Sequence, residues 1–310
     1  MTRAGFAAVI GAPNAGKSTL VNRLVGSKVT IVTQKAQTTR FNVRGVAIEG
    51  ESQIVLVDTP GIFRPRRRLD RAMVRAAWSG AHDADAVVHL VDAEAELAAA
   101  GSSAKPADRR AAEDVRTVVA GLKDAHRAAI LALNKVDQVR REDLLALTER
   151  LFASEAYAEV FMISALDGSG VADLKTRLAG LMPEGPWLYP GDQSADLPAR
   201  ILAAEITREK VYLRVHEELP YAATVETTAF EERKDGSARL EQTIYVERDT
   251  QRAILIGKGG QTLKWIGEQS RKDLTDILGR TVHLFLTVKV KQNWAEDRGT
   301  YNDLGLEFDV

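Results

Sequence analysis

The chain contains no cysteine, which excludes disulfides and thiolate metal sites and suits a reducing compartment. No apolar run approaches the roughly 20 residues a bilayer demands. The one early apolar stretch, Phe6 to Ile10, runs straight into a glycine loop with no cleavage-site pattern behind it. It is expected to be structure and not a signal peptide, and the expected location is the cytoplasm. Excess charge is also missing, since 42 Lys and Arg stand against 43 Asp and Glu for a net −1. The chain as a whole does not attract nucleic acid, so any polyanion site must come from local clustering. What remains is 310 residues, 45% hydrophobic and 27% charged, the composition of a soluble globular protein with room for two domains.

Short apolar runs alternate with helical patterns over the first 180 or so residues, the signature of a mostly parallel sheet covered by helices. Candidate strands are Phe6 to Ile10, Val43 to Ile48, Gln53 to Val57, Ala86 to Val91, Ala129 to Leu133 and Val160 to Ile163. A helix carrying Val171, Leu174, Leu178 and Leu181 should close this domain at residue 182. Residues 183–196, PEGPWLYPGDQSAD, suit a linker. Residues 93–108 are expected to form an inserted loop. The second domain, 197–310, begins with a helix that Asp196 can cap, with Pro198 in its first turn. Runs from Tyr221 to Glu231 and Arg239 to Arg248 flank Lys234-Asp235-Gly236-Ser237 as a hairpin. Strict alternation from Val282 to Lys291 predicts a last strand.

Residues 11–18, GAPNAGKS, fit G-x-x-x-x-G-K-[ST] with Gly11, Gly16, Lys17 and Ser18, between an apolar strand and a helical pattern. Such a loop wraps phosphates with backbone N–H groups, places a lysine on the β and γ phosphates, and offers a hydroxyl to Mg²⁺. Asp58-Thr59-Pro60-Gly61 ends the strand through Val57. An aspartate there is commonly a turn former, but beside a phosphate loop it is placed to hold Mg²⁺, with Gly61 offering its N–H to a γ phosphate. Asn134-Lys135-Val136-Asp137 ends another strand. A carboxylate such as Asp137 accepts from the N1–H and 2-amino group of guanine, a donor pair adenine lacks, so the motif selects GTP. Ser164-Ala165-Leu166, after the next strand, can add a backbone N–H for the guanine oxygen.

With these motifs, and with KAQTTR at 35–40, the chain resembles the Era family of ribosome-assembly GTPases over nearly its full length. The resemblance implies a P-loop GTPase domain followed by a smaller α+β KH-type (type II) RNA-binding domain. It implies GTP/GDP contacts from Gly11, Asn14, Ala15, Gly16, Lys17, Ser18, Thr19, Asn134, Lys135, Asp137, Ser164, Ala165 and Leu166. Mg²⁺ would be held through Ser18, Thr39 and Asp58, with Thr39 the switch threonine; Lys17, Thr39 and Gly61 would carry hydrolysis. Asn14 is carried over as a helper of a potassium ion. One departure concerns mechanism: where better-known GTPases place a water-orienting glutamine, this chain has Ile62, which can neither donate to nor accept from water. Slow intrinsic turnover is expected, with water positioned by backbone groups or a bound cation.

Residues 256–260, IGKGG, raise a second phosphate question. G-x-x-G is a weak pattern, and for the glycines alone a connecting turn is the better reading. Their place between two helical segments, after a hairpin and before a third strand, resembles a KH domain, where glycines let the backbone of single-stranded RNA pass close. The RNA-binding residues would be Ile256, Gly257, Lys258, Gly259 and Gly260. Lys289, Lys291 and Arg271 could extend that surface by phosphate contact. Arg64, Arg66, Arg67 and Arg68 lie in the second switch and are more often a solvated face. The resemblance implies a target in the 3′ end region of small-subunit ribosomal RNA, a role in assembling the small subunit, a monomer, and room for peripheral association with the inner face of the cell membrane. Two readings stand against it: a membrane-peripheral signalling GTPase whose second domain is a lipid or protein adaptor, and a phosphotransferase sharing the phosphate loop.

Overall fold

The computed structural model describes every residue from Met1 to Val310. The chain forms two compact units. The first comprises Met1–Thr30, Thr39–Asp196 and Leu304–Val310, the second Ile31–Thr38 and Leu197–Asp303.

In the first unit, in chain order, run β1 (Arg3–Ile10), α1 (Lys17–Val25), β2 (Val43–Glu49), β3 (Ser52–Asp58), α2 (Arg68–Asp83), β4 (Ala86–Asp92), α3 (Ala93–Ala100), α4 (Pro106–Asp124), β5 (Ala129–Asn134), α5 (Arg141–Phe152), β6 (Tyr157–Met162), α6 (Val171–Leu181) and β7 (Ala195–Asp196). The sheet order is β6-β5-β4-β1-β3-β2-β7. β1 pairs in parallel with β3 and β4, and β4, β5 and β6 continue in parallel; β2 and β7 are antiparallel to their neighbours. Strands of this kind are apolar on both faces because helices cover both, and every residue of β3 is buried. Ala7 and Val9 of β1 face a core with Leu20, Val21 and Leu24 of α1, while Ala8 and Ile10 face a second core toward α2 and α4. Each buried Leu or Val there contributes about 1.5–3 kcal/mol.

Three expectations are corrected. Residues 93–100 form a helix and not a loop: Asp92 caps it by accepting the Ala95 N–H at 3.1 Å, and an alanine-rich run is the best helix former. Only residues 101–105 stay irregular before Pro106 opens α4. β6 begins at Tyr157 and ends at Met162, three residues before the expected start. Asp196 does not cap the next helix; it sits in β7 opposite Arg44 and accepts the Tyr189 hydroxyl at 2.7 Å. Residues 187–189 lie along the first unit, where buried Gln53 accepts the N–H groups of Leu188 and Tyr189 at 2.8 and 2.9 Å and donates to the Tyr189 carbonyl at 2.8 Å. The C-terminal residues also pack on this unit: Glu307 pairs with Arg75 of α2 at 2.8 Å, and Phe308 lies 4.4 Å from the Arg68 guanidinium.

The second unit contains α7 (Ala199–Arg214), β8 (Ala223–Glu232), β9 (Ala238–Val246), α8 (Asp249–Ile256), α9 (Gln261–Leu278), β10 (Val282–Val290) and α10 (Arg298–Asp303). Its sheet runs β10-β9-β8, with β8 antiparallel and β10 parallel to β9. The hairpin turn is closed by Asp235, whose carboxylate accepts the Ser237 N–H at 3.0 Å and its hydroxyl at 2.7 Å. Ile206, Leu240, Leu274 and Leu284 form one core, and Val211, Ile244, Leu255 and Ile266 the other.

Candidate functional site

Parallel strands bring their carboxyl ends to one edge of the sheet. Gly11 follows β1, Asp58 ends β3, Asp92 ends β4, Asn134 ends β5, and Ser164 lies just past β6. β1 lies between β3 and β4, the point of topological reversal where ligands of open α/β sheets bind. The loop from Gly11 turns into the N-terminus of α1 at Gly16, which holds φ 99°; a Cβ there would stand 2.4 Å from the Asn134 amide nitrogen. Only glycine fits. Lys17 is buried, and its Nζ donates to the Gly11 and Ala12 carbonyls at 3.1 and 2.8 Å. Burial pulls its ammonium down to about 8, opposed by Asp58 and Asp114. A desolvated cation at a helix N-terminus suits a phosphate.

Asp58 is fully buried. Its Oδ2 accepts the hydroxyls of Ser18 at 2.7 Å, Thr30 at 2.8 Å and Thr39 at 3.2 Å, while its Oδ1 has no hydrogen-bond partner. Ser18 and Thr39 hydroxyls are themselves 3.0 Å apart. Burial pushes the carboxyl up, and the three hydroxyls with Lys17 pull it back. Hard oxygen donors converging beside a phosphate loop fit Mg²⁺, which takes one or two protein ligands and completes its shell with phosphate and water. No cluster of three carboxylates, histidines or cysteines exists that would hold a metal by protein groups alone. Thr30 was not foreseen from sequence; it is fixed by Asn22, whose Oδ1 accepts the N–H groups of Val29 and Thr30.

On the base side, Asn134 Nδ2 donates to the Ala15 carbonyl at 2.7 Å and its Oδ1 accepts the Ala165 N–H at 2.9 Å. The amide is thus engaged with the phosphate loop and with Ser164-Ala165-Leu166, and Ala165 has already given its N–H. Lys135, in the left-handed region at φ 63°, pairs with Asp92 at 2.5 Å. Asp137 is exposed in a short 3₁₀ turn and free to meet a ligand. Arg23 of α1 donates to the carbonyls of Ala165 and Leu166 and so positions this loop. No contiguous motif reveals Arg23.

Gly61 lies against Pro13 of the phosphate loop. Ile62 donates its N–H to the Gly11 carbonyl at 3.0 Å, and its side chain is buried in the α2/α4 core. The side chain is therefore turned into the core and away from solvent. Asn14 and Thr19 flank the loop, Asn14 exposed with φ 63°.

The second glycine loop joins α8 to α9. Gly257 holds φ 74°, and a Cβ there would stand 2.4 Å from the Thr262 hydroxyl; Gly259 and Gly260 have positive φ with open space beside them. Lys258 is exposed, as are Ile254 and Ile256. β10 is one of two edge strands, and Leu286, Val288 and Val290 on it are only partly buried, as are Leu263 and Trp265 of α9. Half-buried apolar side chains thus belong to the same unit as a glycine loop with open space beside Gly259 and Gly260. Lys289 is exposed, whereas Lys291 is paired with Asp297 at 2.7 Å. Trp294 is core, donating to the Ala222 carbonyl at 2.9 Å.

Comparison with known proteins covers both units. A family model described as a 50S ribosome-binding GTPase matches residues 6–135, and a KH domain model matches residues 218–295. The GTPase Era of Caulobacter vibrioides is 72% identical over 309 residues, spanning 100% of this chain and 98% of that protein. That of Maricaulis maris is 62% identical over 308 residues, spanning 99% and 98%. Two solved structures match at 34% identity over 98% of this chain and 99% of theirs. One is a tyrosine-to-alanine variant of Aquifex aeolicus Era bound to GDP and AlF₄⁻, with TM-score 0.86. The other is Era in complex with MgGDPNP and nucleotides 1506–1542 of 16S ribosomal RNA, with TM-score 0.87. With a GTPase-type first unit, a KH-type second unit and relatives matched end to end, the chain belongs to the Era family of GTPases.

Proposed function

We propose that this GTPase uses GTP to set a switch that governs binding of the 3′ end region of small-subunit ribosomal RNA during assembly of that subunit. The convergence of Ser18, Thr30 and Thr39 on Asp58 carries the reading, because it ties the metal position to both ends of residues 31–38. The description of the matching GTPase model names the large subunit, but that model spans less than half the chain. The Era structure solved with 16S RNA matches nearly all of it, which supports the small-subunit target.

In this reading residues 1–182 are the GTP-binding domain, 183–196 a linker that packs along it, and 197–303 the RNA-binding domain, the tail 304–310 returning to the first unit. Gly11, Asn14, Ala15, Gly16, Lys17, Ser18 and Thr19 receive the phosphates. Asp137 takes the guanine edge, while Asn134, Lys135, Ser164, Ala165 and Leu166 shape its pocket. Ser18, Thr39 and Asp58 would hold Mg²⁺, which would neutralise charge on the β and γ phosphates. Lys17 and the Gly61 N–H face the charge that develops as water displaces GDP from the γ phosphorus, giving phosphate. Asn14 would hold a potassium ion, which would supply positive charge beside the phosphates, whereas Ile62 is turned into the core. RNA passes Ile256-Gly257-Lys258-Gly259-Gly260, its backbone against the glycines and its bases over the half-buried apolar side chains of β10. The protein works as a cytoplasmic monomer, and no helix is long and apolar enough to cross a membrane.

The test is retention of a single-stranded RNA matching the small-subunit 3′ end, with phosphate release from GTP followed in parallel. Gly259→Asp places a carboxylate where the RNA backbone approaches and should abolish retention while leaving phosphate release intact. Retention unaffected by that change, or retention of anionic vesicles in place of RNA, would overturn the RNA assignment.

A further inference from the structure

Thr30 and Thr39 both donate to Asp58 in the first unit, yet the residues between them, Ile31–Thr38, belong to the second unit. They are fastened along α7. Ile31 is buried in the core with Ala203 and Ile206. The Val32 N–H donates to Glu209 Oε1 at 2.9 Å. Lys35 Nζ donates to the carbonyls of Tyr212 and Val215, at the C-terminal end of α7. Such carbonyls lack helical partners and carry the negative end of the helix dipole, so an ammonium group there satisfies both. The Tyr212 hydroxyl reaches the Gln37 carbonyl at 3.4 Å. Within the segment, the Thr33 and Thr38 hydroxyls lie 2.6 Å apart, and Thr38 Oγ1 donates to the Lys35 carbonyl at 2.7 Å.

Arg208 makes the contact of greatest consequence. Its Nη2 donates to the Thr38 carbonyl, and its Nε and Nη2 grip Glu205 at 2.7 and 2.5 Å. Arg208 is 1% exposed and Glu205 8%. A buried pair of this kind pays a desolvation cost that apolar side chains of similar volume would avoid, so it is weak as a purely stabilising device. The Thr38 carbonyl and the Thr39 N–H share one planar peptide unit. Holding that oxygen therefore fixes the plane on which the chain enters Thr39.

We infer that Arg208 is a positioning residue for the switch threonine: through the Thr38 carbonyl it sets the peptide that carries Thr39 to Ser18 and Asp58, while Glu209 and Lys35 hold the rest of the segment on α7. The inference rests on the reading of Thr39 as the group that closes on Mg²⁺ and the γ phosphate. Coupling is reciprocal, so a triphosphate that draws Thr39 inward also favours docking of 31–38 on α7, and loosening that docking weakens the triphosphate selectively.

The experiment compares the full-length protein with Lys35→Met, Arg208→Lys and Thr39→Ala. It measures equilibrium affinity for a non-hydrolysable GTP analogue and for GDP, each with Mg²⁺, and the single-turnover hydrolysis rate. Lys35 is partly exposed, and its replacement by an unbranched apolar chain spares the core. Lysine at 208 keeps the charge beside Glu205 but loses the planar fork that also serves Thr38. Both variants should lose about five- to tenfold in analogue affinity with GDP affinity changed less than about twofold, and should hydrolyse more slowly. An unchanged analogue-to-GDP ratio in both, with thermal transitions like the wild type, would overturn the inference. Equal losses for the two nucleotides would also overturn it, since that is the signature of a general structural defect. If Thr39→Ala itself left the ratio unchanged, the switch reading would fall first and the inference with it.

Discussion

The Asn134 side chain joins the phosphate loop to the base-side loop, donating to the Ala15 carbonyl at 2.7 Å and accepting the Ala165 N–H at 2.9 Å. It is a strut between the two loops, with both halves of its amide used. Asn134→Asp replaces the donor by a second acceptor facing the Ala15 oxygen. Breaking a buried pair in this way costs about 1–3 kcal/mol. GTP and GDP affinity should fall together, by roughly five- to a hundredfold, with guanine preference retained. Calorimetric titration with GTP, GDP and ATP checks this, and a loss of guanine preference alone would mean that Asn134 reads the base directly.

Ile62→Gln tests whether a glutamine can be restored at the usual water-orienting position. The side chain at 62 is fully buried in the core that α2 and α4 cover, so an amide placed there lacks partners. A loss of about 1–3 kcal/mol in unfolding free energy is expected, with no gain in hydrolysis rate. Faster turnover in a protein of unchanged stability would show that residue 62 can swing toward the nucleotide.

Asp114 on α4 gives a pH-dependent prediction. Burial and the neighbouring Glu113 push its carboxyl up from 3.8 to about 6, opposed by the Arg64 N–H and Lys17. A carboxyl whose folded value lies above its unfolded value destabilises the fold where it is ionised. That penalty is absent below about pH 4, grows as pH rises through the interval between the two values, and is complete above about pH 6. Asp114→Asn keeps an acceptor for Arg64 and removes the charge. It should stabilise by about 1 kcal/mol at pH 7.5, a figure reduced for partial exposure, and by nothing near pH 4. Denaturant titrations at the two pH values decide it.

The C-terminal tail is expected to brace α2. Leu306 is buried, Glu307 pairs with Arg75, and Phe308 lies on Arg68. Leu306→Ala should cost about 2 kcal/mol, and hydrogen exchange should speed up selectively in α2. Uniform protection across α2 in that variant would show that the tail is not bracing it.

What could be read in the sequence follows from how local each feature is. GAPNAGKS, DTPG and NKVD place their chemistry in contiguous residues on strand ends, so strand periodicity and a short motif suffice to group them. Thr30 reaches Asp58, 28 residues away, and Lys35 reaches Tyr212, 177 residues away; no spacing rule connects such pairs. Arg23 is hidden for the same reason, because its partners Ala165 and Leu166 offer only backbone carbonyls. Residues 93–100 were misread because an alanine-rich run lacks an apolar stripe, although Asp92 in front of it was a usable cap signal. The KH-type unit was readable from element order, whereas the parallel pairing of β10 with β9 depends on a crossover that local pattern does not encode.

The most direct measurement is the affinity of the full-length protein for the small-subunit 3′-end RNA with Mg²⁺ and a GTP analogue, against the same titration with GDP, at one fixed salt concentration. Typical coupling free energies predict RNA binding about five- to a hundredfold tighter with the analogue. Equal affinity in the two nucleotide states would leave a GTPase and an RNA-binding unit in one chain and contradict the switch that joins them.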